Sequence, residues 1–419
     1  MSASRSESVL SPARLRDAAR DLALAALVGA MAGTAAAAFL AALDAVTRIR
    51  FAQPWLIALL PLAGVLAALA YRRVGGRAER GANLIIDEIH APGGGVPLRM
   101  APLVLGSTLL THLCGGSAGR EGTAVQMGGA LAGGLKKWMR LDRVPSGLLL
   151  SAGVAGGFGA VFGTPLAGAV FAVEVLTRGR LSHAWLAACL LAALVGDQVC
   201  HAWGIAHEDY ASMANLAALP RELSLVTLAL AAAFGLLCGL VARTFTALAH
   251  GVGRIPLPAD KAWWLRPVLG GVALWALALA LRSDAYLGLG AWSPDPSDPT
   301  LLTVWASDGA TPWSWGWKLL FTAITVGAGF KGGEVTPLFF IGAAFGHAMA
   351  SILGLPLPLA VALGFVAVFA GASKTPLACT LLAVETFGGS HLELFAIACL
   401  ASYLASGAEG IYAAQRKGD

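Results

Sequence analysis

The chain has 419 residues, of which 57% are hydrophobic and only 13% are charged, and its mean hydropathy is +0.72. So few charges could not solvate a globule of this size, which excludes an ordinary soluble domain and indicates a polytopic membrane protein in a lipid bilayer. The net charge of +5 comes from short basic clusters between apolar runs. Because no basic stripe interleaved with aromatic residues is present, we expect no nucleic-acid partner.

The first predicted membrane segment covers residues 22–46, and this apolar run is too long for a cleavable signal peptide. Basic residues precede it and cluster again in two later loops. Under the positive-inside rule these loops and the N-terminus face the cytoplasm, although Arg48 and Arg50 then fall on the opposite side. The clustered residues are Arg14, Arg16, Arg20, Arg72, Arg73, Arg77, Arg80, Lys136, Lys137, Arg140 and Arg143. We expect an integral protein of a bacterial cytoplasmic (inner) membrane.

The later apolar runs are irregular in length. Residues 223–249 can cross a bilayer, whereas several runs are shorter and interrupted by Gly or Pro, namely 98–114, 123–135, 165–176, 337–353 and 376–387. A helix of about 12–16 residues spans only about 18–24 Å, less than the hydrocarbon core of about 30 Å. Such broken helices survive only where protein or a water-filled cavity covers their ends. We therefore expect an all-α protein of tilted and broken helices that meet at a central site.

Two stretches of the chain repeat each other. Residues 119–123 resemble residues 333–337, and Glu121 and Glu334 are separated by 213 residues. Residues 164–174 resemble residues 375–385 at a separation of 211 residues. Gly/Pro-interrupted segments in corresponding halves indicate a transport site at a repeat interface. We predict one transmembrane transport domain over residues 1–419, built of inverted halves of about 11–201 and 221–415, with no C-terminal regulatory domain.

The glycine-rich loop at residues 115–123 connects two apolar segments. Its glycines let backbone N–H groups point at a ligand where the next helix begins, and such a helix start binds anions. Glu121 would occupy that positive end when the anion is absent and swing away when protonated. The alternative is a glutamate that only caps the helix, which is the better interpretation in a soluble protein. At membrane depth, ionisable groups are functional by default.

The same loop also matches the G-x-S-x-G pattern of hydrolases through Ser117. That nucleophile elbow requires a preceding strand and a histidine partner, whereas here a helical segment precedes the loop. A membrane hydrolase therefore remains a distant alternative, and we expect no enzyme activity.

These motifs, with residues 163–168 and the terminal Tyr412, resemble the CLC family of anion channels and anion/proton antiporters. The resemblance covers the whole transmembrane region in the same order. It implies a homodimer of about 17–18 helices per protomer, no cofactor and no metal. It also implies a gating role for Glu121, to which we add Glu334 as a second group for gating or proton transfer, and anion contacts from a further set of residues. That set is Gly94, Gly95, Gly119, Arg120, Gly122, Thr123, Gly333, Val335, Thr336 and Tyr412.

Four departures from the chloride-handling members suggest the substrate. Gly94 replaces the serine of the first anion loop, and Glu334 with Thr336 enters a motif that is otherwise apolar. Thr123 replaces a proline after the gating glutamate, and Val175 replaces an internal proton-transfer glutamate. All four departures resemble the fluoride/proton antiporter branch of the family.

Fluoride is small, strongly hydrated and basic, so its dehydration requires strong donors such as a protonated carboxyl group. Two glutamates in one pathway repel each other when both are ionised, which favours proton uptake. We therefore predict a secondary transporter that exports fluoride in exchange for protons. The alternative is a chloride channel or chloride/proton antiporter of the same fold.

Several other polar residues have simpler interpretations. Glu334 could instead be neutral or paired with Lys331, and Tyr412 could be an interfacial aromatic residue. Glu174 and Glu385 are expected to be structural helix-end charges that face water or a partner subunit. Residues 87–90 indicate a solvated helix face, and the six single cysteines are expected to be small buried hydrophobes.

Overall fold

The computed structural model describes residues 12–181, 183–221, 223–256 and 262–418. Residues 1–11, which include the start of the predicted first half, lie outside this range. The described residues form sixteen α-helices, five short 3-10 or π segments, and one parallel pair of two-residue strands, β1 (Thr177–Arg178) and β2 (Arg416–Lys417). The all-α prediction is confirmed, and the count is close to the predicted 17–18 helices.

The helices differ widely in length along the chain. Those of the first half are α1 (Pro12–Ala52), α2 (Leu60–Ala70), α3 (Ala82–His90), α4 (Met100–Leu113), α5 (Glu121–Trp138), α6 (Ser146–Phe162), α7 (Pro165–Glu174), α8 (Leu186–Ala202) and α9 (Tyr210–Ala214). Those of the second half are α10 (Leu225–Arg254), α11 (Leu265–Leu281), α12 (Ser314–Gly327), α13 (Val335–Leu353), α14 (Leu357–Ser373), α15 (Pro376–Phe387) and α16 (Leu392–Ala405).

Within the described residues, four helical stretches are long and apolar enough to cross a membrane, and eight apolar helices of 10–17 residues are shorter. The mixture of lengths agrees with the irregular runs in the sequence. The prediction for residues 337–353 is wrong in length, because α13 begins two residues earlier and its 19 residues extend over about 28 Å. α1 is also longer than predicted, since its helix begins at Pro12 and includes the basic residues before the apolar run.

Corresponding helices of the two halves pack in the same way. α1 contacts α6 and α8, while α10 contacts α14 and α16; likewise α5 packs on α6, and α13 packs on α14. The closest approaches also match. A Cβ on Gly29 would collide with the backbone of Ala192, and one on Gly235 would collide with the backbone of Ala398. Each of these residues is separated from its counterpart by 206 positions. Small residues that let helix backbones touch are a common basis of packing between membrane helices.

The two proline-led helices α7 and α15 cap each other. Glu174, at the end of α7, accepts hydrogen bonds of 3.0 and 2.7 Å from two backbone N–H groups at the start of α15. Glu385 accepts two bonds of 2.8 Å from the start of α7. The donors are Leu377, Ala378, Leu166 and Ala167. Both glutamates therefore satisfy N–H groups that their partner helix leaves free. The expectation that Glu174 faces water or a partner is wrong, because this residue is buried.

The loop before α12 ends in a buried charge. The polar residues, prolines and five tryptophans of residues 283–318 indicate an extramembrane stretch with aromatic anchoring. This prediction is wrong at its end, because Lys318 lies on α12 and is completely buried. Its ammonium group donates to the backbone carbonyls of Gly288 at 2.8 Å and Tyr286 at 3.2 Å. Burial of this charge is thus compensated by carbonyl acceptors of the loop itself.

The six cysteines are all buried and unpaired, as expected for small apolar side chains.

Candidate functional site

The two glycine motifs meet where their helices begin. Gly119 donates its N–H to the carbonyl of Gly333 at 2.5 Å, and Gly333 donates back at 2.8 Å, which forms an isolated antiparallel bridge. α5 begins at Glu121 and α13 at Val335. The register between the halves is therefore 214 residues at this point, and the predicted pairing of Glu121 with Glu334 at 213 is wrong by one. In the structure Glu121 corresponds to Val335, and Arg120 corresponds to Glu334.

Glu121 is buried at this junction, with 1% of its surface exposed. Its carboxylate accepts hydrogen bonds from the N–H of Arg120 at 3.1 Å, from the N–H of Thr336 at 3.1 Å and from the Thr336 hydroxyl. The guanidinium Nε of Arg120 lies 3.7 Å from the same carboxylate. The carboxylate thus sits at the N-terminus of α13, in the opposite half, and not only at the start of its own helix.

The residues around Glu121 hold the two loops together at very short range. A Cβ on Gly122 would lie 3.0 Å from the Cα of Gly333, so a larger residue here would push the motifs apart. Thr123 shares a hydrogen bond of 2.7 Å with Thr108 of α4, and both hydroxyls are buried. The threonine that departs from the family pattern therefore links α5 to α4.

Glu334 faces a different space from Glu121. It precedes α13 without capping it, and it lines a cavity of about 380 Å³ together with His250, Arg254 and Ile411. Lys331 does not form an ion pair with it among the described residues; its ammonium group lies 4.5 Å from the centre of the Tyr71 ring. The alternative interpretation of Glu334 as a salt-bridged group therefore has no support in these contacts.

A second, smaller cavity also reaches the start of α13. Its volume is about 160 Å³, and its lining includes Arg120, Thr336, Phe339 and His207. Thr336 lines this cavity, whereas Glu334, two residues earlier, lines the larger one. The start of α13, with Glu121 bound to its first turn, therefore contributes to the lining of both cavities. His207 is not among the predicted site residues, because its loop carries no repeat and no family motif.

A family model described as voltage gated chloride channel matches residues 63–407. The chain belongs to the CLC family. A "Chloride/fluoride channel protein" of Pseudomonas syringae pv. tomato is 48% identical over 406 residues, which cover 96% of this chain and 87% of that protein. An "H(+)/Cl(-) exchange transporter ClcA" of Vibrio parahaemolyticus is 27% identical over 93% of this chain and 88% of that protein.

Among solved structures, one described as a CLC-type fluoride/proton antiporter superposes with a TM-score of 0.86. It is 31% identical and covers 98% of this chain and 100% of its own. The predicted resemblance to the CLC family and to its fluoride/proton branch is confirmed. As a CLC protein, the chain is an integral membrane protein of an anion-transporting family.

In this CLC chain the first predicted anion loop has its own carboxylate. Glu88 is buried and accepts N–H bonds from Gly93 at 3.0 Å and Gly94 at 3.1 Å, while Arg77 donates to Glu88 and to the Gly95 carbonyl. The expectation of a solvated helix face at residues 87–90 is therefore wrong for Glu88. An anion role for Gly94 and Gly95 remains a prediction, and it would require the Glu88 carboxylate to leave these amides.

The remaining predicted residues are placed as follows. Tyr412 is buried, with its ring 6.2 Å from that of Phe171 in an edge-on arrangement. Ser117 is fully buried and shares a 2.9 Å hydrogen bond with Thr322, and the segment before its loop is the helix α4. Neither the strand nor the exposed hydroxyl of a nucleophile elbow is therefore found around Ser117.

Proposed function

We propose that this CLC protein exports fluoride in exchange for protons, with Glu121 as the group that alternates between the protein and the anion pathway. The observation that carries the proposal is the position of the Glu121 carboxylate. It accepts the N–H and the hydroxyl of Thr336 at the start of α13. A helix start that holds a carboxylate can hold another anion in the same place.

The proposed gate lies between two spaces. Thr336 lines the smaller cavity and Glu334 lines the larger one. In the proposed gate, the Glu121–Thr336 contact closes the route from one cavity to the other. Protonation of Glu121 removes its negative charge and weakens its bonds to α13, because hydrogen bonds to ionised groups are stronger than those to neutral groups. The anion then takes the vacated N–H and hydroxyl donors, and the proton moves with the displaced side chain.

Glu334 is the second proposed proton carrier. Its side chain lines the larger cavity beside His250 and Arg254, and the guanidinium group of Arg254 attracts an approaching anion. Tyr412 follows Ile411, which lines the same cavity, and we assign it to the anion pathway at that mouth. The remaining proposed contacts come from the backbone of the bridged motifs, namely Gly119, Arg120, Gly122, Gly333 and Val335.

Chloride is the main rival substrate, and a channel is the rival mechanism. The relative with 48% identity is called a chloride/fluoride channel, whereas the matching solved structure is called a fluoride/proton antiporter. The Thr336 hydroxyl favours fluoride, because the smaller anion accepts a stronger hydrogen bond from the same donor. A permanently open channel is disfavoured by the buried Glu121 carboxylate, which occupies the donors that are proposed to hold the anion.

The direct test is efflux from reconstituted liposomes, followed with fluoride- and chloride-selective electrodes while an internal dye reports pH. The proposal predicts that fluoride leaves, that protons enter at the same time, and that chloride efflux is much slower. Fluoride efflux that carries no protons would identify a channel. Chloride efflux at least as fast as fluoride efflux would favour the chloride transporter.

We also propose a homodimer in a bacterial cytoplasmic membrane, with the N-terminus in the cytoplasm. Large apolar side chains project from α16 and α8, with exposures of 47% for Leu400, 74% for Leu404 and 42% for Leu194. An apolar face of this kind contacts either lipid or a second copy. Photobleaching of singly labelled protein in liposomes should show two steps per particle, and single steps throughout would contradict the dimer.

A further inference from the structure

Three metal-ligating side chains meet at the end of α8. Asp197 and His201 are four residues apart on the helix and share one face, and His207 reaches them from the following loop. Asp197 Oδ1 lies 3.2 Å from His201 Nδ1 and 3.9 Å from His207 Nε2. The three candidate ligand atoms all lie within 4.8 Å of one another.

Two of these atoms are buried without a hydrogen-bond partner among the described residues. They are Asp197 Oδ1 and His207 Nε2, and the side chain of Asp197 is only 9% exposed. Asp197 Oδ1 is close to His201 Nδ1, but that nitrogen hydrogen-bonds to the Asp197 backbone carbonyl. A buried carboxylate oxygen without a well-formed hydrogen bond is costly, and native proteins seldom retain one without a ligand or water. Both atoms belong to the group of ligand atoms that lie within 4.8 Å of one another. This is the observation that indicates a missing partner.

The spacing suits a small transition-metal ion. Zinc binds imidazole nitrogen and carboxylate oxygen at about 2.0–2.2 Å, so that two ligands of a tetrahedral site lie about 3.3 Å apart. One of the measured separations is 3.2 Å, another is 3.9 Å, and the third is at most 4.8 Å, so a shift of about 1–1.5 Å in the His207 loop would complete the triangle. His201 Nδ1 would exchange its 3.0 Å bond to the Asp197 carbonyl for the metal.

The surroundings favour a cation that can enter from solvent. His207 lines the smaller cavity with three further carboxylates, Glu208, Asp209 and Glu385, against one basic side chain, Arg120. The side chain of His201 is 47% exposed, which leaves an entry path and a free coordination position. Two imidazoles select borderline metals such as Zn²⁺, Ni²⁺ or Co²⁺, whereas Mg²⁺ and Ca²⁺ prefer oxygen ligands alone.

We propose that Asp197, His201 and His207 form a binding site for a divalent transition metal at the edge of the smaller cavity. Three protein ligands and one open position are typical of metal sites that exchange with solvent. The site is separate from Glu121 and is not required for the proposed exchange. No metal is predicted from the sequence. The sequence alone could not identify this site, because His207 lies in a loop and approaches Asp197 and His201 only in the folded chain.

The test is calorimetric titration of the purified full-length protein with ZnCl₂ after removal of any histidine tag. Absorption of bound Co²⁺ in the visible range reports the ligand geometry. The chain should bind one Zn²⁺, and His201→Ala and His207→Ala should each weaken binding by at least the ~10–100-fold known for altered metal surroundings. His183→Ala, which removes an exposed histidine outside the cluster, should bind as the parent does, and Mg²⁺ should not compete.

Equal Zn²⁺ affinity in the parent and the His207→Ala variant would overturn the proposal, as would Zn²⁺ binding no tighter than Mg²⁺ binding. Gel filtration of each variant shows whether it is folded. If His207→Ala does not fold, the partly exposed His201→Ala variant decides between the same two outcomes. The titration needs no transport, so failure of fluoride exchange would leave this result unaffected.

Discussion

Replacement of Glu121 by Gln tests the proposed gate with the smallest change in shape. The carboxylate accepts three hydrogen bonds, two from backbone N–H groups and one from the Thr336 hydroxyl. An amide of the same size can remain in this position, and the bridge between Gly119 and Gly333 does not involve the side chain. We therefore expect the variant to fold and to reach the membrane like the parent.

The expected effect on the gate can be calculated from these three bonds. A hydrogen bond to a charged group contributes about 1.5–3 kcal/mol, and one between neutral groups about 0.5–1.5 kcal/mol. The loss of about 1 kcal/mol per bond adds up to about 3 kcal/mol. This corresponds to a ~150-fold weaker association of the side chain with the start of α13. The amide also cannot bind or release a proton between pH 4 and 9. Proton-coupled exchange should therefore disappear.

The assay is simultaneous fluoride efflux and proton influx in liposomes that contain equal amounts of parent or variant protein. Proton influx through Glu121→Gln should fall to the level of protein-free liposomes. Glu174→Gln is the matched control, because it changes another buried glutamate that accepts backbone N–H bonds at a helix start. The control should retain exchange. Coupled exchange at the parental rate in Glu121→Gln would refute the gating role.

The remaining predictions concern both transport and stability. Glu334→Ala should slow fluoride exchange by at least tenfold in the same liposome assay, because it removes the second proton carrier. Tyr412→Ala should slow fluoride exchange less. The opposite order of effects would contradict the roles assigned to these two residues. Val175→Glu should not raise the number of protons moved per fluoride, measured from the two fluxes, and an increase would show that protons take a route independent of Glu121. Glu174→Gln should destabilise the protein by about 1–3 kcal/mol in thermal unfolding, and more than Glu385→Gln, whose bonds are closer to solvent.

Much of the fold follows from local patterns in the sequence. Apolar runs locate the helices, and the Thr-Pro-Leu-Ala motifs locate the starts of α7 and α15, because proline is favoured in the first turn of a helix. The separation of 211 residues between these motifs is the same in the structure, where Pro165 and Pro376 begin the two helices. Helix lengths are less predictable, as the early start of α13 shows, because buried neighbours can stabilise residues that hydropathy alone would exclude.

The site is predictable in its parts but not in its contacts. The sequence indicates that residues 119–123 and 333–337 are corresponding segments of the two halves. An alignment from the sequence pairs Glu121 with Glu334. The backbone bridge between Gly119 and Gly333 imposes another register, since hydrogen-bonded glycines and not identical side chains fix the alignment. The Thr336–Glu121 bonds and the Asp197–His207 contact likewise form only when distant elements pack together. No spacing in the sequence therefore predicts them.

The corrected register suggests why the two halves differ at the site. At the ends of α7 and α15 the repeat is symmetric: Glu174 caps α15, and Glu385 caps α7. At the bridged loops the capping is not reciprocal. Glu121 caps α13, whereas its counterpart Val335 has no carboxylate that could cap α5. A symmetric pair of caps stabilises two helices that need not separate. A single cap leaves one helix start held by a side chain that can be replaced, which is the property that an anion gate requires.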